Sequence, residues 1–275
     1  MKTGLSALLL LLTLPFSLMA EERVVSIGGD ITEIIYALDA QQTLVARDST
    51  SQQPALALKL PDVGYMRQLN AEGILSMKPT LVIASELAKP SLALQQVSQA
   101  GVKVVMVTGT PSLHAIHEKI ATVAKALNRP EQGRELEAKV DRQLAGVTGK
   151  PLPVKVLYIL NHSGMKTMAA GTQTAADGAI QAAGLINAMG AIPHYQPLTQ
   201  EGIVASAPQL VVIGKEGLQA MGDDAAIWSL PGLALTPAGK HHNLLVVDEM
   251  ALLGFGLKTP EAVAKLRKAA EAIAE

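Results

Sequence analysis

For most of its length the chain alternates short continuous apolar runs with amphipathic stretches, and glycine or proline marks the joins. Arg23-Val-Val-Ser-Ile27 is one such run. Gly28-Gly29 ends it, and Ile34, Ile35 and Leu38 then fall at helical spacing, with Asp30 or Thr32 placed to cap the helix. Runs of this kind suit buried parallel strands, which are covered on both faces. Residues 81–84 and 102–107 repeat the pattern around a predicted helix at 91–100. The period then changes. Leu113, Ile116, Ile120, Val123 and Leu127 share one helical face, and after Asn128-Arg-Pro130 so do Leu136, Val140, Leu144 and Val147. No strand interrupts this stretch. Strand patterns resume at 154–160, 210–213 and 243–247, with helices at 174–184 and from Thr259-Pro260-Glu261 onward.

Two segments also match each other. Leu69-Asn-Ala-Glu72-Gly-Ile-Leu-Ser-Met-Lys-Pro-Thr-Leu-Val82 aligns without gaps on Leu198-Thr-Gln-Glu201-Gly-Ile-Val-Ala-Ser-Ala-Pro-Gln-Leu-Val211. A shared Glu-Gly-Ile and a shared Pro-x-Leu-Val at one offset indicate an internal repeat. The expected fold class is therefore α/β. Two similar Rossmann-like lobes are joined by a rigid connecting α-helix, and the ligand cleft lies between them. The expected division is a signal peptide at 1–20, an N-terminal lobe at 21–112, connecting helices at 113–150 and a C-terminal lobe at 151–275.

Composition narrows the function. The chain has 275 residues, 49% of them hydrophobic, enough for a sizeable core. Its 23 basic and 24 acidic residues nearly cancel and form no long basic run, so nucleic acid is not an expected partner. Aromatics make up only 3%, few for a cleft that stacks sugars. Lys2, the apolar run from Leu5 to Leu18, and Ala20 before Glu21-Glu22 read as a secretory signal cleaved after Ala20. The run is shorter than the ~20 apolar residues that spanning needs. With no cysteine the chain has neither disulfides nor a lipid-anchored N-terminus. A soluble protein without a membrane anchor, kept in the periplasm, is expected. Gly-x-Ser-x-Gly, a phosphate loop and HExxH are all missing, and Gly28-Gly29-Asp30 is too short for a dinucleotide fingerprint, so an enzyme is not expected.

The run Asp62-Val-Gly-Tyr65-Met-Arg67-Gln-Leu-Asn-Ala-Glu72-Gly-Ile and the run Tyr158-Ile-Leu-Asn-His162-Ser-Gly-Met-Lys166, followed by Ala170-Gly-Thr, carry a family resemblance. Together with the repeat, the opening strand–helix and the linking helices, they make the chain resemble the class III substrate-binding proteins of ABC importers, which serve cobalamin, siderophores and haem. Within that class it is similar to the periplasmic haem-binding proteins. The resemblance implies a monomer that carries haem b as cargo to an inner-membrane ABC permease.

It also implies roles. Tyr65 matches the axial tyrosine of ferric haem. A free phenol ionises near ~10, so ionising it at neutral pH costs roughly 4 kcal/mol. A ferric ion supplies most of that, phenolate being a suitable axial donor, and Arg67 two residues on adds to it by charge or hydrogen bond. On position alone Tyr65 also fits a loop-packing tyrosine. His162, at the carboxyl end of a predicted strand, fits a second axial ligand, a ligand to a second stacked haem, or a loop residue. Arg67 and Lys166 suit the propionates, the helices near Asp30 and Thr174 offer N-termini to anions, and Met66, Met165 and Met168 suit the porphyrin face. Glu72 and Glu201 match the paired glutamates that dock on permease arginines, where they set orientation more than affinity. The same class with a ferric siderophore or cobalamin as cargo is the alternative. A zinc or manganese carrier is less favoured, because the six histidines do not supply ligands from both lobes. His114-x-x-His117 has metal-compatible spacing but no third ligand nearby.

Overall fold

The computed structural model describes residues 22–147, 151–162 and 164–274, so the expected signal segment at 1–20 lies outside the described residues. The first lobe contains β1 (Val24–Ile27), α1 (Gly29–Ala37), β2 (Leu44–Arg47), α2 (Ala71–Ser76), β3 (Leu81–Ser85), α3 (Leu92–Gln99) and β4 (Lys103–Val107). Its four strands are all parallel, in the order β2-β1-β3-β4. Alternate residues feed opposite cores. Val24, Leu81 and Ile83 face one side, while Val25, Ile27, Val82 and Ala84 face the other, with α2 and α3. Covered on both faces, β1 and β3 read as unbroken apolar runs apart from Ser26 and Ser85.

Two helices follow, α4 (Ala115–Ala126) and α5 (Pro130–Leu144). They do not stand free between the lobes. Ile116, Ile120, Val123, Leu127, Leu136 and Val140 join α1 on the first sheet. Val147 then packs with the second lobe. Asn128 adopts φ 52° between the two helices, a left-handed turn that asparagine tolerates.

The second lobe contains β5 (Lys155–Leu160), β6 (Met168–Ala170), α6 (Ala175–Ala182), β7 (Ile186–Asn187), β8 (Tyr195–Pro197), α7 (Gln200–Ser206), β9 (Leu210–Gly214), α8 (Lys215–Met221), α9 (Asp224–Trp228), α10 (Pro237–His241), β10 (Leu244–Val247), α11 (Glu249–Leu253) and α12 (Thr259–Ala274). Its sheet runs β10-β9-β5-β6-β8, with β7 also paired to β5. Here the lobes differ. β6 runs antiparallel to both its neighbours, β5 and β8, and the connection from β5 to β6 is too short for a parallel crossover. Val156, Tyr158, Leu210 and Val212 pack under α6 and α12, while Leu157, Ile159, Val211 and Ile213 pack with Ile203, Ile227 and Ala238.

The internal repeat folds alike in both lobes. Asn70 and Thr199 cap α2 and α7 by accepting from Glu72 N–H and Gly202 N–H. Ile74 and Ile203 are buried, while Glu72 and Glu201 stand exposed in the first turns. Among the described residues no helix is long and apolar enough to cross a membrane.

Candidate functional site in the crevice between the lobes

The carboxyl ends of the parallel strands in both sheets face one crevice, where α/β folds bind ligands. Gly29 and Asp30 follow β1, Ser49 and Thr50 follow β2, His162 follows β5, Glu216 follows β9, and Asp248 and Glu249 follow β10. These residues, with Glu33, Gln52, Gln53, Tyr65, Met250, Gly256, Lys258 and Thr259, line a cavity of about 390 Å³. That volume lies within the ~300–1,000 Å³ of ordinary ligand pockets.

Its closed end is a tight junction. The Lys119 ammonium on α4 lies 2.6 Å from Asp30 Oδ2 and donates to the Gly254 carbonyl at 3.0 Å. The lysine side chain is only 2% exposed. Gly256 packs closely here, since a Cβ at that position would come within 3.1 Å of Asp30 Cβ. Asp30 therefore does not cap α1. The helix opens from Gly28, whose φ of 124° suits glycine. The Gly28 N–H donates to Asp48 Oδ1 and the Gly29 N–H to Thr50 Oγ1. Thr32 is likewise internal, bonded to Ser26 and Ser51. The α1 N-terminus already meets Asp48 and Asp30, which leaves it poorly suited to a further anion. At α6, Thr174 caps the helix by accepting from the Asp177 N–H, and Asp177 fills the first turn.

Tyr65 is held by a zipped loop. Arg47 N–H donates to Pro61 O, Val63 N–H to Arg47 O and Ser49 N–H to Gly64 O, at 3.0, 2.9 and 3.0 Å. Asp62 fastens the same loop, accepting from the Gly64 N–H at 2.8 Å, the Ser49 hydroxyl at 3.0 Å and the Arg47 guanidinium at 2.9 Å. Burial alone would raise the Asp62 carboxyl. These donors outweigh it and hold the group below its usual range. The Tyr65 side chain is left 44% exposed on the crevice wall.

His162 faces the crevice from the second lobe. Its Nε2 lies 3.5 Å from Glu249 Oε1. Asn161 and Thr167 brace the segment: Asn161 donates to Gly217 O and accepts from the Thr167 hydroxyl. Glu249 sits against Gly214, where a Cβ would meet its Oε2 at 2.7 Å. Burial raises the Glu249 carboxyl; His162 opposes this, and Glu216 and Asp248 add to it. Burial also raises Glu33, against the pull of Lys258 at 3.9 Å. The Tyr158 hydroxyl is buried without hydrogen-bond geometry to any described residue, and burial and Glu249 push it well above the ordinary phenol range. Burial and Glu249 push the Tyr195 phenol up to about 12, against the pull of Arg67. That pull brings Arg67 near the second lobe. It is exposed and has no carboxylate at ion-pair distance among the described residues.

The other expected contacts fall elsewhere. Met66, expected against a ligand, is 8% exposed and packs in the first lobe's core with Ile74 and Val97. Its neighbour Tyr65 faces the crevice, so the backbone turns Met66 inward. Lys166 lies with Met165, Leu198 and Thr199 on a separate groove of the second lobe, beside the start of α7. His117 bonds Asp141 at 2.8 Å, tying α4 to α5. Among the described residues no group of three or more His, Cys, Asp or Glu is arranged to hold a metal ion. Sequence reasoning missed Glu216, Asp248 and Glu249. The rule that placed His162, a polar residue just after a parallel strand, would have found them. Lys119 and Tyr158 gave no such signal, since each sits within a helix or strand pattern.

The model of the periplasmic binding protein family matches residues 24–251. The chain is similar to the periplasmic heme-binding protein RhuT from Roseiflexus sp. RS-1 in apo form, with 38% identity and a TM-score of 0.86 over 93% of this chain and 100% of that one. The periplasmic heme-binding protein BhuT in complex with two hemes is 39% identical, with a TM-score of 0.86 over 92% of this chain and 99% of that one. A relative described as a vitamin B12-binding protein, from Vibrio vulnificus, is 28% identical over 90% of this chain and 89% of its own.

Proposed function

The chain belongs to the periplasmic binding protein family, and from that premise we propose that it captures haem in the crevice between its lobes and passes it to an inner-membrane ABC permease. It is a binding protein and not an enzyme. Tyr65 carries the reading. A phenol 44% exposed on the crevice wall, on a loop fastened at Arg47, Ser49 and Asp62, is a preorganised oxygen donor for ferric iron. The likeness to RhuT and BhuT supports haem as its cargo.

In this reading Tyr65 binds the iron as phenolate and Arg67 favours that ionisation while pairing with a propionate. His162 ligates from the opposite wall, either on the same iron or on a second haem. The two hemes described for BhuT favour the second arrangement. Lys166 steers anionic cargo from the groove beside α7 and lies off the crevice lining. Exposed Glu72 and Glu201 dock on the permease from equivalent helix starts. The chain is exported through a signal cleaved after Ala20 and works as a monomer.

An absorption titration with haemin tests this. Wild type gives a shifted Soret band, with an end point at one or two haems per chain. Tyr65→Phe loses the ligation signature and at least tenfold in affinity, and His162→Ala lowers the two-haem end point. Unchanged binding by Tyr65→Phe would falsify the assignment. The likeness to vitamin B12-binding relatives makes cobalamin the second reading. Cyanocobalamin binding that is unaffected by Tyr65→Phe, with no haemin binding, would establish it.

A further inference from the structure

The charges lining the crevice are unevenly compensated. Asp30 is paired with Lys119 at 2.6 Å, and Glu33 faces Lys258 at 3.9 Å. On the second-lobe wall, Glu216, Asp248 and Glu249 have no lysine or arginine at ion-pair distance among the described residues. His162, 3.5 Å from Glu249, is the counter-group there. Glu249 lies against Gly214, where a Cβ would come within 2.7 Å of its Oε2. The first-lobe wall opposite offers the uncharged Ser49, Thr50, Gln52, Gln53 and Tyr65. Arg67, with no carboxylate at ion-pair distance among the described residues, stands near Tyr65 and Tyr195, off the acidic lining.

Haem carries two carboxylates, and both lie on one edge. Resting on the haem reading above, we infer that Glu216, Asp248 and Glu249 are specificity-determining residues: they keep the cargo's carboxylates off the second-lobe wall and turn its vinyl edge toward them. The propionates then emerge beside Arg67. The same wall rejects a porphyrin that carries carboxylates around its whole rim, because no rotation in the cleft keeps every anion away from the three acids. Glu249 is partly buried while Glu216 and Asp248 are exposed; like charges brought within a few Å of these three in a closed cleft interact strongly enough to cost about tenfold in affinity.

Ferric coproporphyrin III tests this, since it has propionates where haem has vinyl groups. Wild type should bind haemin at least tenfold more tightly than ferric coproporphyrin III. The isosteric triple variant Glu216→Gln, Asp248→Asn, Glu249→Gln should bring the ratio close to one, mainly by strengthening coproporphyrin binding. Asparagine at 248 preserves the cap that Asp248 gives to α11. The single variants Glu216→Gln and Glu249→Gln should each close part of the gap, which keeps the test decisive if the triple variant misfolds. Arg67→Ala should weaken both ligands and leave the ratio largely unchanged. A ratio that the neutral variants do not move, with Tyr65-dependent haemin binding intact, overturns the inference and spares the haem reading. Failure of wild type to bind haemin at all overturns that reading instead.

Discussion

Replacing Lys119 by methionine should loosen the junction between the lobes and destabilise the whole protein. The lysine is 2% exposed, its partner Asp30 is 9% exposed, and the ammonium also serves the Gly254 carbonyl. Methionine nearly fills the volume but leaves a buried carboxylate without its cation and a carbonyl without its donor. Breaking a buried pair from one side costs about 3–5 kcal/mol, most of it the penalty of the stranded charge. For a chain of this size each kcal/mol lowers Tm by about 2–4 °C, so Lys119→Met should melt roughly 6–20 °C below wild type. Asp30→Asn should cost less, because the remaining ammonium can still reach Gly254 O. The double variant should recover much of the loss, since neither charge is then stranded. Urea denaturation of the ligand-free protein measures all three. Because the chain has no cysteine, spin labels at Leu92→Cys and Val204→Cys, both exposed, read the separation of the lobes directly. The distance distribution should broaden in Lys119→Met. A single variant within about 0.5 kcal/mol of wild type, or a strictly additive double variant, would refute the reasoning.

The remaining expectations concern the loop, the crevice acids and the docking face. Asp62→Ala removes three bonds that fasten the Tyr65 loop and strands the buried Arg47 guanidinium, so haemin affinity should fall about tenfold and Tm should fall with it; protected amides at 62–65 in hydrogen exchange would contradict this. Glu33 is raised by burial, so its contribution to stability is complete below the unfolded carboxyl pKa of about 4.3 and is lost as pH rises through the folded value. Glu33→Gln should therefore gain Tm relative to wild type between about pH 4 and 7, and a gap that narrows over that range would reverse the sign argued here. Charge reversal of Glu72 and Glu201 together should leave the haemin titration unaltered and abolish uptake through a reconstituted permease; normal uptake removes the docking role.

Much of the fold was legible because buried parallel strands and amphipathic helices write different periods. The runs at 81–84 and 210–213 were expected as strands and fold as Leu81–Ser85 and Leu210–Gly214, and the repeat around Glu72 and Glu201 located equivalent units in both lobes. What escaped was set by tertiary context. β2 is one short run after a turn, and β6 and β8 are three residues each, too short to show a period. Capping by Asp30 or Thr32 was a local expectation. The fold instead spends Asp30 on Lys119, far along the chain, and Thr32 on Ser26 and Ser51. In the crevice, Tyr65 and His162 line the same cavity, but sequence could not tell that Met66 turns inward or that Lys166 sits beside α7.

The two lobes also differ where they face each other. In the first, Gly109 after β4 makes room for Leu87 after β3, since a Cβ at 109 would come within 2.8 Å of that leucine. In the second, Gly214 at the end of β9 makes room for Glu249 after β10, at 2.7 Å. Each lobe has thus given up a side chain at a strand end to admit one from its neighbour, but the guests are opposite in character. Leu87 is an apolar side chain, 44% exposed, in the lobe that carries Tyr65. Glu249 is an acidic one in the other lobe. Each glycine thus admits a side chain whose character the other lobe does not share, apolar in the first and acidic in the second.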